Sequence, residues 1–299
     1  MVAAATKKIL VLHGYAQNAN IFSKKLGAIR KQCKDVEMIF LDAPHVLTAA
    51  DLFGDTPEAL DSASDPTLTP RGWWKFADST KTTYVGLEAT LDFIRDTLKS
   101  MRFDGILGFS QGAGLATLIT ALVGTLCLRK FSSHRATSLK GRIFIRPSWS
   151  MDNHHTLLCK YLILSFLDQK LIVRRSEYCV SVSGFKPRDS ISETVLSPGF
   201  STPTLHILGK TDAIVTGERS KLILEVTLNK RVEEHEGGHF VPSKANWRKF
   251  LSAYLTEGPW ADIPSPSSIS VSAPPSGTVT PTTEAQMQAV VVPLVPPPV

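Results

Sequence analysis

Gly105-Ile106-Leu107-Gly108-Phe109-Ser110-Gln111-Gly112, followed at once by the apolar stretch 113–123, is the segment on which the fold turns. The short apolar run reads as a buried strand and the longer stretch as a helix, so the pattern G-x-S-x-G falls on their junction. Small residues are needed on both sides of the serine because the chain reverses sharply there. Such a junction places Ser110 at the apex of a strained turn, with its hydroxyl above the sheet. The following helix aims its N-terminal N–H groups and the positive end of its dipole at the same point.

Outward from this junction, the stretches 1–123 and 176–262 alternate short apolar runs with amphipathic segments. The runs 9–12, 38–41, 105–107, 178–182 and 205–208 are uninterrupted rather than alternating, as expected of parallel strands covered on both faces. Leu87, Leu91, Ile94 and Leu98 recur at helical spacing, as do Trp247, Phe250, Leu251 and Tyr254. Repeated strand–helix order predicts an α/β fold with a doubly wound, mostly parallel sheet and helices on both faces.

A serine hydroxyl is a weak nucleophile until a base takes its proton, so the chain must also supply a histidine oriented by an acid. In α/β-hydrolases these follow in the order Ser, acid, His. Asp212 stands in Lys210-Thr211-Asp212-Ala213, just past the strand 205–208, where a loop leaves the sheet. His239 follows in His235-Glu236-Gly237-Gly238-His239-Phe240, where paired glycines let the loop approach the serine closely. His235 competes for the same role, but it ends the strand-like run before the glycines, and we expect His239. The oxyanion of an acyl-transfer intermediate needs N–H donors. The backbone N–H of Gln111 is expected to be one, and that of Tyr15, in the loop His13-Gly14-Tyr15-Ala16, the other, with Ala16 as its neighbouring alternative. Trp73 and Trp74 are placed equally well as lining for an acyl pocket or as loop packing. His45, His206 and the pair His154-His155 read as structural or exposed.

Together, the segment 12–18, Gly72-Trp73-Trp74, the Ser110 motif, the segment 207–212 and the His239 loop resemble the FSH family of eukaryotic serine hydrolases. The resemblance runs from about Lys7 to Leu255, broken at 124–175. It implies an α/β-hydrolase fold without a large cap, a triad of Ser110, Asp212 and His239, and hydrolysis of acyl esters or thioesters without metal or organic cofactor. Several fungal members act beside polyketide synthases, so the resemblance also admits a role in secondary metabolism with a carrier-bound polyketide chain as substrate. A thioesterase or acyltransferase of that kind is the alternative enzyme. The non-enzymatic alternative is an inactive hydrolase-like binding protein, whose Ser110 would not react.

The 299 residues, 43% hydrophobic and 20% charged, exclude a coiled coil, collagen, a disulfide mini-protein and wholesale disorder. The four cysteines, Cys33, Cys127, Cys159 and Cys179, form no C-x-x-C pair and read as reduced thiols. The start has no apolar core of a secretory signal, and no stretch reads as a membrane span. These features predict a soluble protein of the cytoplasm or nucleus, with no membrane partner. The net charge of +6 is local: 124–175 holds ten Lys or Arg against two acids, a surplus larger than the whole chain's. That stretch lacks helical or strand periodicity and is read as an atypical basic insertion into a domain spanning 1–262. A lid and a basic binding surface are two explanations for it, though no nucleic-acid-binding signature accompanies the charge. Retained non-coding sequence is the third, and it best suits the near absence of acids. Residues 263–299, with nine of the nineteen prolines, read as a disordered tail.

Overall fold

The computed structural model describes residues 6–52, 68–77, 83–135 and 177–268, the side chains of 125–135 excepted. Ten strands, seven α-helices and one short 3-10 helix (Ala49–Leu52) are described. They run β1 (Lys7–Leu12), α1 (Ala19–Lys25), α2 (Gly27–Gln32), β2 (Val36–Leu41), β3 (His45–Val46), β4 (Arg71–Gly72), β5 (Lys75–Phe76) and β6 (Tyr84–Val85). The remainder are α3 (Leu87–Ser100), β7 (Gly105–Phe109), α4 (Gln111–Arg135), β8 (Tyr178–Val182), α5 (Ser190–Leu196), β9 (Thr204–Gly209), α6 (Gly217–Val226), β10 (Lys230–His235) and α7 (Ala245–Glu257).

Six strands form one wholly parallel sheet in the order β10-β9-β8-β7-β1-β2. Side chains alternate across it, and both faces are apolar. On β1, Leu10 and Leu12 enter one core with Trp73, Trp74, Leu91 of α3 and Leu118 of α4. Ile9 and Val11 enter the other with Phe22 of α1, Ile29 of α2 and Phe250 of α7. This double covering is why the strands read as continuous apolar runs. The predicted helical faces pack as the spacing implies: Leu87, Leu91, Ile94 and Leu98 are all 4% exposed or less. The fold is therefore α/β, with a doubly wound parallel sheet.

The strand order reverses between β1 and β7. A doubly wound sheet opens a crevice at such a reversal, outside the carboxyl ends of the two strands. Ser110 follows β7 and the His13-Gly14-Tyr15 loop follows β1, so both stand at that crevice.

Two boundaries differ from the sequence expectation. Helix α4 runs on to Arg135, beyond the point where the basic insertion was expected to begin, and 136–175 lie outside the described residues. The domain also continues past 262. Ile263 is buried, Ser265 Oγ donates to Glu233 Oε2 at 2.6 Å, and Asn246 Nδ2 donates to the Pro266 carbonyl at 2.8 Å. Proline and serine made this stretch read as tail, although one apolar anchor and two hydrogen bonds dock it. Residues 269–299 lie outside the described residues.

Candidate active site

The turn at Ser110 follows from its two glycines. A Cβ on Gly108 would stand 2.2 Å from the Gly112 carbonyl oxygen, and one on Gly112 would stand 2.4 Å from that of Leu12. Both positions thus exclude any side chain while helix α4 docks against the end of β1. Ser110 takes φ +54°, a left-handed conformation unfavourable for a non-glycine residue. Its N–H donates to the Val182 carbonyl, and its own carbonyl accepts from the N–H groups of Ala113 and Gly114, opening the helix. The Gln111 N–H stands in that first turn, where no preceding turn supplies an acceptor.

Three sequence-predicted residues meet here. His239 Nδ1 lies 2.8 Å from Asp212 Oδ2, and His239 Nε2 lies 2.9 Å from Ser110 Oγ. Asp212 Oδ1 accepts from the N–H groups of Ile214 and Val215 at 3.0 and 2.8 Å. Burial pushes the Asp212 carboxyl up, but the Val215 N–H and the His239 ring outweigh it and hold the group below its ordinary value. An ionised carboxylate only accepts, so Nδ1 carries the ring proton and Nε2 is left to accept from the serine hydroxyl. Such a chain can move the Ser110 proton onto the imidazole while Oγ bonds to carbon.

The acid and histidine loops are held backbone against backbone. Thr211 N–H donates to the Gly237 carbonyl, and a Cβ on Gly209 would lie 2.4 Å from the Gly238 oxygen. His235 is not in the chain of hydrogen bonds to Ser110. It is buried, packed against the rings of Phe240 and Trp247, and its Nδ1 accepts from the Gly237 N–H at 3.2 Å.

On the β1 side, His13 is fully buried. Its Nε2 accepts from Ala43 N–H at 3.0 Å, which leaves the proton on Nδ1, 2.8 Å from the Gly14 carbonyl oxygen. Burial pushes its pKa down to about 4, so the ring stays neutral. The Ala16 N–H donates to the Arg71 carbonyl at 3.0 Å.

A cavity of about 480 Å³ opens above Ser110 and His239, with Tyr15, Phe76, Tyr84, Phe109, Phe185 and Val215 in its wall. Trp73 and Trp74 are completely buried and stand behind that wall. Trp73 Nε1 donates to the His13 carbonyl at 2.8 Å, and Trp74 stacks on Tyr84. The side chain of Gln111 ties this pair to the serine turn: Oε1 accepts from Trp73 N–H at 2.8 Å and Nε2 donates to the Trp74 carbonyl at 2.9 Å. Sequence reasoning took Gln111 for its backbone alone. Its position beside the serine was the available signal. His45 and His206 are structural, bonding the Gly86 carbonyl and Thr227 Oγ1 respectively. His154 and His155 lie outside the described residues.

Among the described residues, no group of His, Cys, Asp and Glu is arranged to hold a metal ion, and no helix is long and apolar enough to cross a membrane.

Known proteins match in the same sense. The family model for serine hydrolase (FSH1) matches residues 1–251. The chain is 30% identical to Esterase CG5412 of Drosophila melanogaster over 251 residues, covering 81% of this chain and 71% of that protein. It is 29% identical to Esterase OVCA2 of Mus musculus, over 86% of this chain and 99% of that one. Among solved structures, Zea mays acyl-protein thioesterase 2 superposes with a TM-score of 0.46 at 18% identity, covering 85% of this chain and 96% of that chain. With a strand–serine–helix turn at the sheet's reversal and the family model spanning 1–251, this chain belongs to the serine hydrolase (FSH1) family.

Proposed function

We propose that the chain cleaves carboxylic esters or thioesters through an acyl-enzyme on Ser110. Ser110 Oγ attacks the acyl carbonyl while His239 Nε2 takes its proton. The carbonyl oxygen becomes an oxyanion held by the backbone N–H groups of Gln111 and Tyr15. As the carbon–oxygen or carbon–sulfur bond breaks, the His239 imidazolium returns the proton to the leaving alcohol or thiol. A water molecule, deprotonated by His239, then attacks the acyl-enzyme, and the carboxylic acid departs as Ser110 regains its proton. Asp212 keeps the imidazole in the required tautomer and stabilises its charged form. The observation that carries this reading is the continuous hydrogen-bonded chain Asp212–His239–Ser110 at the floor of the cavity.

Release of a polyketide chain from a carrier would use the same steps with a thiol as leaving group. It is the narrower reading that the FSH resemblance admits, and thioester assays address it.

A fluorophosphonate probe on the full chain is the direct test. The folded parent is expected to be labelled at one site and Ser110→Ala to remain unlabelled. Equal labelling of the two, or a folded parent that does not react, would remove Ser110 from the role.

A further inference from the structure

Two arginines share the cavity wall with Ser110 and His239: Arg188, in the loop after β8, and Arg219, in the first turns of α6. Among the described residues, no aspartate or glutamate lines the cavity. Among the described residues, neither guanidinium has a carboxylate oxygen within 4.0 Å. The neighbouring acids have oxygens engaged elsewhere, although Asp189 Oδ2 has no hydrogen-bond partner among the described residues. Asp189 Oδ1 caps α5 by accepting from the N–H groups of Ile191 and Ser192. The two oxygens of Asp212 are taken by His239, Ile214 and Val215.

Arg219 is held in place rather than loose. Its Nη1 donates to the Ile214 carbonyl at 2.8 Å, and its guanidinium lies 4.7 Å from the centre of the Phe185 ring. It is half-buried, and burial together with the like charge of Arg188 pushes its pKa down. Between the two elements, the Tyr84 hydroxyl oxygen accepts from the Arg188 backbone N–H at 3.2 Å, which leaves its own proton to donate. Arg188 is exposed and Arg219 half-buried; two like charges on one cavity wall repel, and an anion between them would relieve that repulsion. Guanidinium groups bind carboxylate and phosphate oxygens in bidentate fashion.

We propose that Arg188 and Arg219 form an anion subsite of the catalytic cavity, so that the preferred substrate is an ester or thioester bearing a carboxylate or phosphate group. The inference rests on Ser110 acting as the nucleophile. It adds a specificity that neither the serine motif nor the FSH resemblance implies. A carboxylate would come from the acyl portion, as in a half-ester of a dicarboxylic acid. A phosphate would come from the leaving thiol.

Two matched pairs test this on the full chain. The first is 4-nitrophenyl hemisuccinate against 4-nitrophenyl pentanoate. The second is butyryl phosphopantetheine against butyryl pantetheine. In at least one pair, the ratio of kcat/KM for the anionic over the neutral substrate is expected to fall about 10- to 100-fold in Arg219→Gln and Arg188→Gln, as for loss of a charge-assisted hydrogen bond. A fall confined to the first pair assigns the subsite to the acyl portion, and one confined to the second assigns it to the leaving group. Ratios unchanged in both variants, with Ser110 still labelled by the fluorophosphonate, would overturn the subsite. Calorimetry on Ser110→Ala separates the two proposals. Tighter binding of hemisuccinate than of pentanoate, lost on adding Arg219→Gln, would sustain the subsite even if the parent were inert towards the probe. Equal binding within both pairs, the esters and the thioesters, would overturn the subsite whatever Ser110 does.

Discussion

Asp212 divides its two oxygens between two tasks: Oδ1 receives the N–H groups of Ile214 and Val215, and Oδ2 faces His239 Nδ1. An asparagine at 212 would keep its single oxygen on the two backbone donors and turn its NH2 group towards the ring. Nδ1 would then have to accept, Nε2 would carry the proton, and Ser110 would lose its base. Asp212→Asn is therefore expected to lower kcat on an aryl ester by about 10³- to 10⁴-fold while the loop and the melting temperature are largely kept. A fall of less than tenfold would show that the tautomer is fixed by something other than Asp212. Residues of this kind are legible in a sequence because their neighbours set their geometry. Glycines flank Ser110, a strand ends before Asp212, and two glycines precede His239. Trp73 and Trp74 are different, since only the packing of α3, α4 and Tyr84 decides that they stand behind the wall and not in it. Arg188 and Arg219 gave no signal either, because thirty residues and a strand separate them before the fold brings both to one cavity.

Helix α4 and strand β1 meet through Gly112, and this contact links the serine turn to the loop bearing Tyr15. A Cβ at 112 would lie 2.4 and 2.5 Å from the carbonyl oxygens of Leu12 and His13, which are backbone and cannot swing aside. Gly112→Ala is expected to cost about 1–3 kcal/mol by overpacking and to lower kcat/KM at least about tenfold, since a shift of an ångström at a reacting centre is that costly. Gly27, at the start of α2, has nothing within 4 Å of its Cβ position. Gly27→Ala is the control and is expected to leave both quantities nearly unchanged. Melting curves and aryl-ester kinetics on the two variants check this; equal behaviour would contradict the close-approach account. The main strands and helices were readable because their apolar runs reflect two covered faces. The two-residue ladders β3–β4 and β5–β6 were not. They are too short to carry a period: Arg71 pairs with Val46 and Lys75 with Val85, on either side of the buried Trp pair in sequence.

Across the whole molecule, two buried neutral histidines, His206 on β9 and His13 just past β1, make stability depend on acid. His13 and His206 are both completely buried. Burial lowers the pKa of His13 to about 4, with Asp42 acting to raise it and Arg71 to lower it further. Burial lowers that of His206 to about 3, with Lys230 adding to the shift. In the unfolded chain each ring has the ordinary value of about 6.5. Above that pH neither state binds a proton, and the full stability is present. As pH falls below it the unfolded chain takes up protons that the folded chain refuses, and stability is lost until the folded values are reached. The loss is on the order of 3 kcal/mol for His13 and somewhat more for His206. The melting temperature should therefore fall steeply between pH 6.5 and 4. Carboxylates with lowered values, Asp212 among them, act in the same direction, so the histidine share needs its own variant. His206→Gln removes one titrating group from the sheet. It is expected to be less stable than the parent at pH 7.5, and that gap should narrow by about 2–3 kcal/mol by pH 4.5. A gap that stays constant over the same range would mean that His206 does not resist protonation in the folded sheet, and the acid sensitivity would then have to come from the carboxylates and His13.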